Sequence, residues 1–343
     1  MDSIDGTQAG RELLNLFAKL STNSKVNLDN ADDVSQFLEL VKEEFNKARE
    51  NPIMLHGHQT QALFEAVAVS LGKCDFIKVE DAGNVYYQKD TNIRPPDLRI
   101  KLNKGDEIFV EVKNKHKGDF EVKKLYLDSL KNYANLFKRD LFFAIYWSKS
   151  NIWTLITPDK LTLKNAKYVI TWSDAQFYNE MYRLGDMRVG TIPPFTFKIF
   201  TDPEMPRIIQ EEGFVEFIIK AVELYGGGKL IRNEIERNIA FYFQLFSDWL
   251  LEDTFLEIIE NELIAIVYTI NPDISASKQN FQLLGSLSSI IIRHYQLLTA
   301  PEGNVETINP KLGLKGLGVK IPDNYKGVDL KLWFFIQMPS EPK

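Results

Sequence analysis

Two carboxylates and a lysine fall within one short stretch of this chain in an arrangement that can hold a divalent cation against a phosphate. They are Asp97 in Pro96-Asp97-Leu98-Arg99-Ile100-Lys101-Leu102, and Glu111 and Lys113 in Ile108-Phe109-Val110-Glu111-Val112-Lys113. Hard cations such as Mg²⁺ take oxygen ligands and keep several waters, so one or two carboxylates and substrate phosphate oxygens complete the shell. Such a metal neutralises charge developing at phosphorus and activates water, while a neighbouring ammonium orients that water or stabilises the transition state. Asp97 and Glu111 are the expected ligands of Mg²⁺ or Mn²⁺, with the carbonyl of Val112 as a further ligand and Lys113 as the ammonium.

These groups meet only if the two segments form a hairpin in one register. A three-residue turn, Asn103-Lys104-Gly105, with Gly105 in the left-handed conformation, pairs Leu102 with Asp106 and sets Asp97 directly across from Glu111. Leu98, Ile100 and Leu102 then share an apolar face with Ile108, Val110 and Val112, and the opposite face carries Asp97, Glu111 and Lys113. Directly paired Cβ atoms stand roughly 4.5–5.5 Å apart, close enough for two carboxylates to share an ion, and Lys101 faces Glu107 as a cross-strand ion pair. Spacing alone also fits a solvated hairpin face bearing ordinary surface pairs.

The surrounding elements narrow the choice. Upstream, His58 to Leu71 has the apolar periodicity of a helix (Leu63, Phe64, Val67, Leu71) and contains Glu65. A strand from Phe76 to Val79, a Gly83-Asn84 turn and a strand Val85-Tyr86-Tyr87 follow. Downstream, Phe120 to Phe137 reads as an amphipathic helix with Leu127, Leu130, Ala134 and Phe137 as its stripe. Leu141 to Trp147 and Ile152 to Ile156 read as strands joined by the turn Ser148-Lys149-Ser150-Asn151.

Helix, three or four strands, helix and two strands, with acids at these places, resembles the PD-(D/E)xK nuclease superfamily, which contains many restriction endonucleases and the archaeal Holliday-junction resolvases. The resemblance covers roughly residues 56–160. It implies an α/β fold, a restriction-endonuclease-like mixed sheet flanked by helices. It also implies that Glu65 is the helix acid, Asp97 the hairpin acid, and Glu111 and Lys113 the Glu-x-Lys pair. Glu65 thereby joins Asp97, Glu111 and Val112 as an expected metal ligand. A plain helix-surface role for Glu65 stays open, and Glu80 and Asp81 are rival acids at the end of the next strand.

Charge supports a polyanionic substrate. The chain as a whole carries a formal net charge of -6. Between Arg94 and Arg139, however, twelve Lys and Arg outnumber seven Asp and Glu, the local positive field expected of a groove that tracks phosphates. Lys115 and Lys117, directly after the motif, are the expected contacts to the nucleic-acid backbone.

Other chemistries find no support. His56-Gly57-His58 has no cysteine or third histidine nearby to make a zinc site. A Gly-x-Ser-x-Gly elbow and a phosphate loop ending in Gly-Lys-Ser/Thr are absent from the sequence. Gly226-Gly227-Gly228-Lys229 reads as the stop of an apolar helix over 214–225. A single cysteine, Cys74, excludes an internal disulfide, and with no bilayer-length apolar stretch and an acidic amino terminus a soluble, cytoplasmic protein is expected.

The flanks look helical. Asp32-Asp33 precedes Val34, Phe37, Leu38, Val41 and Phe45, an amphipathic helix. The Pro-rich segments Ile192-Pro193-Pro194 and Thr201 to Pro206 mark a boundary, beyond which helices are expected over 214–225, 230–251, 254–268 and 278–298, with a late strand Leu330 to Gln337. The expected organisation is a helical segment 1–55, a nuclease-like core 56–190 and a mainly helical domain 191–343 of unassigned role. The expected function is a metal-dependent DNA endonuclease in restriction or defence, one site per chain favouring a homodimer for cutting both strands. A non-cleaving nucleic-acid-binding or assembly module, or a nuclease subunit active only in a complex, are the alternatives.

Overall fold

The fold follows from where this sequence alternates and where it repeats at helical spacing. The computed structural model describes residues 17, 30–50, 52–80, 86–87, 92–103, 105–205, 208–209, 215–273, 280–300, 307 and 317–339. The chain divides into two compact units, Met1–Ala62 and Leu63–Lys343.

In the first unit, helix α1 (Ala31–Glu50) starts on Asn30, whose side-chain carbonyl accepts from the Asp32 N–H at 3.0 Å. The cap is therefore Asn30, with Asp32 and Asp33 in the first turn, where their charge favours the helix dipole. Phe37 is buried and packs edge to face on Phe17 at 4.9 Å. Helix α2 (Pro52–Leu71) begins in this unit and ends in the next.

The second unit is built around a mixed five-stranded sheet of β1 (Cys74–Val79), β2 (Leu98–Leu102), β3 (Glu107–Lys115), β5 (Asp140–Trp147) and β6 (Ile152–Ile156), in that order. Neighbours are antiparallel except β3 and β5, which run parallel from Ile108↔Asp140 to Lys115↔Trp147. A parallel pair needs a crossover. It is supplied by β4 (Phe120–Lys123) and helix α3 (Lys124–Phe137). Phe120 to Lys123 is thus a strand rather than the helix start expected from the sequence, and it pairs with β8 (Lys167–Ile170), which pairs in turn with β7 (Thr162–Lys164).

Apolar side chains fill both faces of this sheet. On one, Phe64 and Val67 of α2 meet Leu98, Ile100, Ile108, Val110 and Val112. On the other, Leu127, Leu130 and Ala134 of α3 meet Phe109, Phe143 and Ile145. Gly83-Asn84 lies outside the described residues, and Tyr86 and Tyr87 carry no strand.

The second half departs from the helical expectation. Residues 219–226 form strand β13 and 250–271 form the hairpin of β15 (Leu250–Ile259) and β16 (Glu262–Asn271). With β10 (Phe195–Thr201) and the short β14 (Lys229–Leu230), they make an antiparallel sheet in the order β14-β13-β10-β16-β15. The short strands β11 (Ile208–Ile209) and β12 (Val215–Glu216) pair with each other; after the short helix α4 (Trp172–Phe177), helices remain at α5 (Glu234–Phe246) and α6 (Leu287–Thr299), and α6 is preceded by strand β17 (Gln282–Ser286). Leu251, Phe255, Ile258 and Ile259 happen to fall at helical spacing, but Glu260 and Asn261, both at positive φ (51° and 67°), close a two-residue hairpin turn. Likewise Gly227 and Gly228, at φ 58° and 78°, turn β13 into β14 with Gly226 paired to Lys229, so they are a hairpin loop and no helix stop. The expected late strand is present as β18 (Leu332–Phe335). It pairs with β9 (Arg188–Thr191), which also pairs with β17.

Helix α6 joins the layers. Ile290 packs into the core beneath the second sheet and Ile291, Ile292 and Tyr295 into the core shared with α2. Its first turn is fixed by a Ser286–Ser289 capping box and by half-buried Asp186, which accepts from the Ser288 N–H at 3.0 Å and hydroxyl at 2.6 Å. Among the described residues no helix is long and apolar enough to cross a membrane.

Cys74, at the start of β1, reports on this core. Burial pushes its thiol up from an ordinary 9.0 to about 12, with the charge of Asp75 adding to the effect. At pH 8 that leaves roughly 10³-fold fewer thiolates than in an open cysteine, and only the thiolate reacts. Ellman's reagent should therefore label the native chain at least about 10³-fold more slowly than the urea-unfolded chain; equal rates would contradict the packing at β1.

Candidate active site

The β2–β3 hairpin has the register that its residues imply. Leu98↔Val110, Arg99↔Phe109, Ile100↔Ile108 and Lys101↔Glu107 are partners, and the Leu102 N–H donates to the Asp106 carbonyl at 2.8 Å. Gly105 sits at φ 91°, where a side chain would be strained. The turn is anchored from outside: Asn103 donates its N–H to the Lys73 carbonyl at 3.0 Å and its side-chain amide to the Gly72 carbonyl at 3.2 Å. Continuing the same register, Asp97 lies across from Glu111, as expected. Beyond Asp97, the Glu80 N–H donates to the Asp97 carbonyl at 2.8 Å, so Glu80, Asp97 and Glu111 form one row across three strands.

Glu111 is the unusual member. A glutamate in a hairpin reads as exposed, yet β3 is the middle strand, paired on both sides and covered by α3, and Glu111 is only 1% exposed. Its Oε1 accepts from Lys113 Nζ at 2.5 Å and from the Tyr126 hydroxyl of α3, a short contact. Its Oε2 is buried with no hydrogen-bond partner among the described residues. Asp97 is held differently, its Oδ2 accepting from the Val112 N–H at 2.6 Å. The backbone of Val112 thus enters the site through its N–H, between the two acids.

Lys113 and Tyr126 complete the cluster. Burial by itself lowers the Lys113 pKa, but the charges of Glu111 and then Asp97 more than offset it, and the ammonium is held well above its ordinary range. Lys113 Nζ also lies 3.3 Å from the Tyr126 hydroxyl and 5.3 Å from its ring centroid, and Arg94 covers that ring at 4.7 Å. Burial, with Glu111 second, pushes the Tyr126 phenol up to about 12, so it stays a donor to the carboxylate. The segment entering Asp97 is tied to the same helix, Arg94 N–H donating to the Ser129 carbonyl at 3.1 Å and Asn132 to the Asn92 carbonyl at 3.0 Å.

Other residues singled out from the sequence fall elsewhere. Glu65, part-buried on α2, belongs to a helix that packs on the opposite face of the sheet, and its charge is felt by Tyr295 there. Among the described residues no three of His, Cys, Asp or Glu form a metal-holding group, so Glu65 does not join Asp97 and Glu111. The sheet itself is the physical reason: Glu111 and Lys113 alternate to the α3 face while α2 covers the other. Glu80 is engaged by Tyr133 at 2.7 Å, Arg99 at 3.3 Å and Lys78 at 3.6 Å, and Asp81 lies outside the described residues. Lys101, although across from Glu107, makes no ion pair with it among the described residues; Glu107 is taken by Arg139 at 2.9 Å and Arg99 at 3.7 Å. Lys115 ends β3 close enough to Glu121 to help hold that carboxyl low, after Lys167, while Lys117 is exposed.

Tyr126 was not singled out by sequence reasoning. Its signal is there in retrospect, since Tyr126, Leu130, Tyr133 and Phe137 fall at helical spacing along the face that Phe109 and Glu111 meet.

Compared with solved structures, the chain is similar to a Holliday junction resolvase from Archaeoglobus fulgidus, an archaeal hyperthermophile. Identity is 14%, the TM-score is 0.26, and the match covers 30% of this chain and 84% of the resolvase. No family model matches the chain, and no curated protein does.

The pairing of Glu111 with Lys113 is open to measurement as stability. Removing one partner of a buried pair costs about 3–5 kcal/mol, and with Lys113 33% exposed to screening water the lower end applies. Lys113→Met should thus lower the urea-unfolding free energy by about 3 kcal/mol, and adding Glu111→Gln should restore most of it. A single variant as stable as the parent, or a double variant no better than the single, contradicts the buried pair.

Proposed function

We propose that this chain is a metal-dependent nuclease that hydrolyses phosphodiester bonds, acting as an endonuclease on DNA. The observation that carries the reading is the fully buried Glu111 carboxylate, with one oxygen tied to Lys113 and Tyr126 and the other orphaned, on a residue that lies across the hairpin from Asp97. An orphaned buried carboxylate oxygen is costly unless something satisfies it. A hard cation is the chemistry that two carboxylates and a backbone carbonyl suit, so Asp97, Glu111 and the Val112 carbonyl would hold Mg²⁺ or Mn²⁺. When bound, that ion supplies charge neutralisation at the phosphate and a more acidic water.

The chain's own residues do the rest. Lys113, kept protonated by its acidic neighbours, is unsuited to act as a base; its ammonium stabilises negative charge building on the phosphoryl oxygens. Tyr126 and Lys113 fix the Glu111 carboxylate in one rotamer, and the Val112 N–H fixes Asp97, so both acids are oriented before substrate arrives. Lys115 and Lys117 extend the positive charge from the end of β3 toward phosphates on either side. Restriction or defence against foreign DNA is the setting such an activity suits by analogy with the resembling nucleases.

Incubation with plasmid and single-stranded substrates in Mg²⁺, Mn²⁺ or EDTA tests the reading. Metal-dependent cleavage is expected, and an inert parent chain under every condition removes it in favour of a non-cleaving module or a subunit needing a partner. Asp97→Asn and Glu111→Gln should each nearly abolish cleavage, with a double variant little worse than either, as for groups acting as a unit. Full activity in either overturns the assignment of the pair.

Lys113→Ala, assayed below its melting temperature, should slow cleavage about 10²–10³-fold with little loss of DNA affinity. An equal loss of affinity would instead make Lys113 a phosphate clamp.

A further inference from the structure

Tyr126 has a second side. While its hydroxyl meets Glu111, its ring lines a cleft of about 780 Å³ bounded by the start of α3, the segment before β2 and the β7–β8 turn. The volume lies in the range of ligand clefts, roughly 300–1,000 Å³. Four cations line it, Arg94, Lys123, Lys124 and Lys167, and no aspartate or glutamate does among the described residues. In a chain of net charge -6 this is a concentrated positive field. Cations gathered with little counter-charge repel one another, and an anion relieves the repulsion.

The four are not equally committed. Lys167 pairs with Glu121 at 2.6 Å and Arg94 rests on the Tyr126 ring at 4.7 Å. Lys123 and Lys124 are exposed and make no ion pair among the described residues. The far wall is tied to the helix start: Asn165 and Ala166, at φ 46° and 62°, form the two-residue β7–β8 turn, and the Ala166 carbonyl accepts from the Lys124 N–H at 3.2 Å. A left-handed alanine in place of glycine is a strained choice at this turn.

We propose that this cleft binds the phosphodiester backbone of the nucleic-acid strand, with Lys123 and Lys124 as its principal phosphate contacts and Tyr126 as the wall it shares with Glu111. The assignment rests on the nuclease reading for what happens next to the bound strand, but the binding itself needs neither metal nor cleavage. Contacts of this type position the backbone without reading bases, so affinity is alike across sequences and falls with salt.

The test is fluorescence anisotropy of labelled duplex and single-stranded oligonucleotides with the full chain, in EDTA and again in Ca²⁺, across a salt series. Lys123→Gln/Lys124→Gln should bind at least about 10-fold more weakly, with the log–log salt slope reduced by about 0.9 per lost contact on duplex and about 0.7 on single strands. Lys123→Arg/Lys124→Arg should restore both, which separates lost charge from lost folding.

Binding by the parent with an unchanged slope in the glutamine variant, or a loss confined to Lys115→Gln/Lys117→Gln measured in parallel, overturns the cleft. So does a parent chain that binds no oligonucleotide in either condition. The nuclease reading is decided apart, by cleavage in Mg²⁺ or Mn²⁺. Binding lost in the glutamine variant of a chain that never cleaves keeps the cleft and removes the nuclease. Cleavage by a chain whose glutamine variant binds normally does the reverse.

Discussion

A negative charge at the centre of a sheet is the constraint around which this structure is arranged. Taking a carboxylate out of water costs several kcal/mol even after relaxation, and Glu111 stands in the middle strand of the five, with two strands on either side. Its tolerance depends on an ammonium two residues along the same strand and a phenol from the covering helix. Remove either and the desolvated charge faces apolar neighbours such as Phe109 and Phe143. The helix, the crossover that carries it and the parallel pairing that the crossover permits are thus all conditions for one buried carboxylate to keep its partners.

The same constraint accounts for the region's polar fastenings. Asn92, Arg94 and Asn132 lash the approach to Asp97 onto α3, so the second carboxylate and the helix that shields the first move together. Glu80, the third acid in the row, is engaged separately, by Arg99 and Lys78 as ion pairs and by the Tyr133 hydroxyl as a donor. Two carboxylates stay associated with Lys113 and the third is withdrawn into its own network, which keeps like charges in neighbouring strands from opposing the pairing of β1 with β2.

Much of the hairpin was legible because two independent signals agree in it. The glycine at 105 demands a three-residue turn, and strict alternation on both strands allows one register only. Glu65 was misplaced because helical spacing gives its phase on α2 and nothing about which face of the sheet α2 covers. The depth of Glu111 was illegible for a related reason: burial depends on α3 lying over β3, a contact between segments far apart in sequence. In the second half, apolar residues in β15 fall at spacings that satisfy a helix template, and the deciding Glu260-Asn261 turn lacks the glycine that usually announces it. Gly227-Gly228 does announce its hairpin, but the apolar run before it is long enough to read as a helix.

Alternation along β3 gives that strand two separate inheritances. Ile108, Val110 and Val112 answer to the core beneath α2; Phe109, Glu111 and Lys113 answer to α3 and the chemistry. Descendants of this chain can therefore drift in one set, even losing the acids, while the other set keeps the sheet standing. Insertions and deletions enjoy no such freedom. One residue gained or lost inside the strand exchanges the two sets, sending a carboxylate into the apolar core and a valine to the site. In this strand a substitution disturbs one set of side chains, whereas a change of length disturbs both.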